Sequence, residues 1–75
     1  MTLRSTYERA ERLYTAAVEE FQGLVVADAE AGRSEYMSIV VKHSEVLQHR
    51  AERVSQETGV PVRILHALHL LRVRT

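Results

Sequence analysis

An all-α fold is what this chain of 75 residues predicts. Two long stretches, Tyr7 to Leu24 and Tyr36 to Thr58, repeat apolar side chains at alternating steps of three and four, the spacing of one helix face. Gly32 and Gly59 punctuate the chain, and glycine ends helices because it tolerates positive φ. The apolar C-terminal run does not alternate as a half-buried strand would. These observations predict a single domain: a long antiparallel helical hairpin, about residues 5–31 and 34–58, followed by a short helix at about 61–73. Two such hairpins are expected to pair into a four-helix-type oligomeric bundle with crossings near +20°.

The first helix is expected to start at Ser5, because Ser5 and Glu8 have the spacing of a reciprocal capping box. From there Tyr7, Ala10, Tyr14, Ala17, Phe21 and Leu24 form one face, widened by Leu13, Val18 and Val25. Running to about Ala31, this helix is roughly 40 Å long at about 1.5 Å per residue, too long for a compact chain of this size to wrap. Gly23 lies inside it at a cost of about 1 kcal/mol relative to alanine, and a close helix crossing there is one use for it.

The link Gly32-Arg33-Ser34 is short enough to make the first two helices antiparallel neighbours, with Ser34 as cap and Glu35 facing the positive end of the helix dipole. The second helix shows Tyr36, Val40, His43, Leu47, Ala51, Val54 and Thr58 on one side. Met37, Ile39, Val41 and Val46 broaden its first half, so the Ser38–Val41 run is expected to be its most deeply covered part. After Gly59, Pro61 suits a first helical position, where no N–H is needed. The last helix is apolar around most of its circumference, with Ile64, Leu65, Leu68, Leu70 and Leu71 too spread for one stripe, and must be covered from two sides.

Composition sets the limits on function. A chain this short buries a small core, so a partner or a second copy is the expected source of further stability. There is no cysteine, which removes disulfides, thiolate metal sites and cysteine nucleophiles together. The charged N-terminal stretch and the lack of an apolar run of the roughly 20 residues that span a bilayer predict a soluble, cytoplasmic protein without membrane contact. The net charge of zero conceals an asymmetry. Residues 1–41 carry seven acids against four arginines, residues 42–75 carry six bases against three glutamates, and all four histidines lie in the second part. Self-complementarity within a hairpin or a dimer accounts for this, and so does a basic surface for nucleic acid.

The segment Ala51–Leu70 resembles a helix-turn-helix. Gly59 stands at the turn with Val60 after it, Val54, Leu65 and Leu68 fall where such motifs bury apolar residues, and QETGVPVR is similar to the wording of many bacterial regulators. The resemblance implies that the second helix enters a major groove, with Val62, Arg63 and His66 facing bases and Arg50, Arg53, Arg72 and Arg74 near phosphates. The chain departs from the pattern at Ser55, where a small apolar residue is usual, and at Ile64 and Leu70, where polar residues are common.

No grouping of residues suggests catalysis. His66 and His69 have the one-turn spacing of two metal ligands but lack a third in the nearby sequence, and read as the polar edge of an apolar helix. His43 falls on an apolar face as a hydrogen-bonded core histidine, and His49 faces solvent. Glu8, Glu11 and Glu19 form a solvated acidic stripe. There is no phosphate-binding glycine loop, no nucleophile elbow and no Glu-x-x-His unit of a di-iron bundle. The expectation is a non-enzymatic regulatory or interaction module with neither cofactor nor metal, partnering itself and a further protein. Its expected interface is Tyr7, Tyr14, Phe21, Leu24, Tyr36, Val40, Leu47, Ile64, Leu68 and Leu71. The alternative is a dimeric DNA-binding regulator using Arg53, Val62, Arg63, His66, Arg72 and Arg74.

Overall fold

The computed structural model describes residues 2–32 and 35–74, which form three helices and, among the described residues, no strand. They are α1 (Leu3–Glu30), α2 (Tyr36–Thr58) and α3 (Val62–Arg74).

The start of α1 corrects the expected Ser5–Glu8 box. Thr2 is the cap, with extended backbone, and its hydroxyl accepts the Ser5 N–H at 3.2 Å. Leu3 and Arg4 are good helix formers, and a nucleated helix gains a bond with each residue added, so it extends back to the next available hydroxyl. Glu8 then lies inside the helix, where its carboxylate accepts from Arg4 Nε at 3.0 Å.

The Ala31 N–H closes α1 on Ala27, and Gly32 follows at φ +63°. The proposed Ser34 cap lies outside the described residues. Glu35 holds the capping position of α2 in extended backbone without a side-chain cap bond. At the far end of α2, Gly59 adopts φ +77° and its N–H reaches Ser55 O at 2.8 Å. The Pro61 carbonyl accepts from Ile64 and Leu65, so α3 is launched from a residue that has no N–H to leave unsatisfied.

Most of the α1 stripe read from the sequence faces inward: Ala10, Tyr14, Ala17, Val18 and Val25 are enclosed and Tyr7, Leu13 and Phe21 half-buried, whereas Leu24 is exposed. One core cluster joins Ala10, Tyr14 and Val18 of α1 to Ala51 and Val54 of α2, to Val60 in the link and to Leu65 of α3. Tyr7, Leu13, Leu47, Val62 and Ile64 pack around it.

The molecule is therefore long, 46 × 26 × 15 Å, because α3 is much shorter than the hairpin it packs on. Thirteen residues span about 20 Å and the 28 of α1 about 42 Å at 1.5 Å per residue. The core cluster stops at Val18 in α1 and Ala51 in α2. We call residues 2–18 and 47–74 the head and the two-helix remainder, 19–46, the arm.

This division corrects one expectation. The Ser38–Val41 run belongs to the arm and is not the most covered part of α2: Ile39 is buried and Val40 half-buried, but Ser38 and Val41 are exposed. Ala51 and Val54 lie in the core cluster, where α3 adds a third wall, and Ala51 is the most enclosed apolar residue of α2. Within the single chain α3 is covered from one side only, with Leu65 enclosed and Leu70, Leu71 and Val73 open to solvent.

Candidate interaction surface

Polar side chains among the described residues tie the helices together in the head and along the hairpin. In the head, the Tyr14 hydroxyl and His66 Nδ1 are 2.7 Å apart, and both His66 and His69 meet the Tyr14 ring edge-on, with centroids 5.2 and 5.8 Å away. A neutral His66 with its proton on Nε2 accepts the hydroxyl hydrogen at Nδ1. Burial disfavours the phenolate and pushes the Tyr14 pKa above its ordinary value of 10.0, so Tyr14 remains a donor at neutral pH. Arg72 of α3 also donates to Glu11 of α1 at 3.2 Å.

Along the hairpin, Arg50 of α2 donates to Glu20 of α1. Further out, His43 Nε2 lies 2.7 Å from the Asp28 carboxylate, with both side chains largely enclosed. The Nε2–H therefore donates to the carboxylate, as expected for a core histidine; the sequence reading did not identify Asp28 as its partner. Neither hairpin pair has a local sign in the sequence, because Asp28 and His43, like Glu20 and Arg50, meet only once the hairpin register is set. His49 faces solvent beside Glu52. The buried Thr15, absent from the predicted stripe, has a hydroxyl with no hydrogen-bond partner.

The residues expected at an interface divide into three sets. Tyr14 is spent inside the chain's own core, and Tyr7, Leu47 and Ile64 pack against that core. Phe21, Val40 and Leu68 are half-buried. Leu24, Tyr36 and Leu71 are 40%, 61% and 62% exposed, and Met37, Val41, Val46 and Leu70 join them on the open surface. Leu24 and Val46 flank a shallow seam between α1 and α2, with the Glu20–Arg50 pair at its rim. Single exposed apolar residues are ordinary. Here they concentrate on the arm and on the outer side of α3, the two places that three helices of unequal length leave open.

The residues of the nucleic-acid alternative are likewise divided. Arg53, Arg63 and Arg74 are exposed, whereas Val62 packs against the core, His66 is bonded to Tyr14 and Arg72 to Glu11. Val54 and Leu65 are buried and Leu68 half-buried, as the resemblance implied, and the same burial follows from any long helix, glycine break and short helix packed together.

Among the described residues no group of three or more His, Cys, Asp or Glu side chains is placed to hold a metal ion, and no helix is long and apolar enough to cross a membrane. His66 and His69 are brought together at Tyr14 without a third donor beside them among those residues. No protein-family model matches the chain, and no curated protein and no solved structure matches it.

Proposed function

We propose that this chain is a non-enzymatic interaction module that self-associates through its helical surface and offers what remains to a further protein. One observation carries the reading: α3 ends short of the arm, so Leu24, Tyr36, Met37 and Val41 have only a two-helix support and are open to solvent. Two helices alone seldom hide their apolar faces, and the remedy in helical proteins is further helices, supplied here by another copy in a bundle-type assembly. Sedimentation and light scattering at micromolar protein test this. The expected result is a dimer or higher oligomer; a well-folded monomer across that range refutes it.

A second reading, a dimeric DNA-binding regulator, draws support from Arg53, Arg63 and Arg74, all exposed on the head. It requires the α3 helices of a dimer to lie about 34 Å apart, and binding to random duplex that falls steeply with added salt, because each neutralised phosphate releases condensed counterion and that release gains less entropy as salt rises. A mobility-shift titration at low salt checks it, and no shift at high micromolar protein refutes it.

A further inference from the structure

The fold sorts charge in a way that the chain halves do not reveal. The arm, residues 19–46, carries six acids against two bases, a net of minus four, while the rest of the chain carries eight arginines against four glutamates, a net of plus four. The zero overall charge is thus the sum of a basic head and an acidic arm at opposite ends of a 46 Å molecule.

The surface of α3 that faces away from the core has its own pattern. Leu65 is enclosed, whereas Arg63, Ala67, Leu70 and Arg74, at steps of four, three and four, are all exposed and form one outward stripe. It is an apolar centre with an arginine at each end. The arm presents the counterpart. Counting back from Ala51, which lies in the core cluster with Leu65, the same stripe of α2 continues through Gln48 and Ser44 to Val41 and Met37, now uncovered. On α1 the corresponding run from Val18 passes Gln22 to Val26, 54% exposed. Glu19 and Glu30 are exposed beside it.

We propose that two copies associate about a two-fold axis, with each α3 held between its own head and the arm of the other copy. This rests on the self-association reading and specifies its geometry: six helices, two hairpins outside and two α3 helices between them. The arrangement is isologous, so every head–arm contact occurs twice. It places Arg63 and Arg74 on an acidic surface, lays Leu70 on Met37, Val41 and Val26, and covers α3 from its second side. An interface of standard size takes about 800 Å² from each partner, roughly a seventh of the 5553 Å² that one chain exposes. A parallel pairing would set arm on arm and head on head, with like charges opposed.

Charge exchange tests the geometry. One variant carries Arg63→Glu and Arg74→Glu, the other Glu19→Arg and Glu30→Arg, all at exposed positions, and circular dichroism checks that each remains helical. In either variant alone every head–arm contact opposes like charges, so its dimer dissociation constant should rise at least tenfold. In a one-to-one mixture both contacts become complementary, one in the original sense and one reversed, and the mass of two chains should return. The wild-type dimer should also weaken as salt is raised. If both variants dimerise as tightly as wild type, or the mixture does no better than its components, the head-to-arm arrangement is overturned while self-association through another face stands. If the wild-type chain is itself monomeric, both readings fall.

Discussion

Replacing Leu65 with alanine removes three carbons from a large side chain that is wholly enclosed, at 0% exposure. At about 0.8 kcal/mol for each buried methylene, the transfer loss is about 2.4 kcal/mol. The cavity adds to this, because α3 has a single turn of fully buried contact and cannot close around the gap without tilting; the total for such changes is about 2–5 kcal/mol. A domain of this length has a stability of about 4–11 kcal/mol, at roughly 0.05–0.15 kcal/mol per residue, so one substitution removes about a fifth of it or more. Urea unfolding followed by far-UV circular dichroism, at one fixed and dilute protein concentration, reads the change. With a slope near 1 kcal/mol/M, the midpoint should fall by about 2 M or more. Leu71→Ala, on the exposed side of the same helix, is the control and should change stability by no more than about 0.5 kcal/mol under those conditions. A Leu65→Ala loss below about 1 kcal/mol, or equal losses for the two variants, would show that α3 is not seated on the core as described.

Further expectations concern particular positions. Gly59→Ala meets no atom within 4 Å, so its cost is the strain of φ +77° alone, about 1–2 kcal/mol in a thermal or urea melt. Gly23 has equally open space but lies in regular helix, so Gly23→Ala should stabilise by about 0.5–1 kcal/mol and leave the dimer constant unchanged; weaker association would reveal a close crossing by the second copy. His43→Ala takes the imidazole from the Asp28 carboxylate and should cost about 1–3 kcal/mol, and adding Asp28→Ala should cost less than the two single changes together. Burial raises the Tyr14 pKa, so the unfolded chain loses that proton first as pH rises through 10.0; stability from this group is intact below that value and declines above it. Tyr14→Phe should give up about 1 kcal/mol at neutral pH with the lost His66 hydrogen bond, and should flatten the alkaline decline measured by denaturation at a series of pH values.

The helices were legible because each follows from local chemistry: the three-four spacing around Tyr14 and Ala51, the glycines at 32 and 59, and the proline that opens α3. The antiparallel pairing followed from a link too short for anything else. The start of α1 was misplaced because Thr2 and Ser5 both offer a capping hydroxyl, and only the extent of helix decides between them. The depth of burial along α2 was not readable from hydrophobicity alone, since Val41 is as apolar as Val54, and what separates them is that they lie on different faces of the helix, with only Val54 turned to the core. The cross-helix ties were missed for a related reason: Asp28 and His43 each look ordinary until the hairpin register sets one beside the other. The charge axis needed the same register, because folding the chain back on itself joins Arg4, Arg9 and Arg12 to the basic end of a sequence whose first half is acidic.

The short third helix also sets a gradient of protection along the molecule. Amides near Leu65 and Val54 can exchange with solvent only when the whole core opens, whereas those of the outer arm need only fraying from the turn inward. The Asp28–His43 pair lies partway along that path and acts as a latch, so exchange should quicken stepwise beyond it when His43 is replaced. A second copy lying on the arm would flatten this gradient, slowing the outer amides most, while those of the core slow by the stability that association adds to the whole chain.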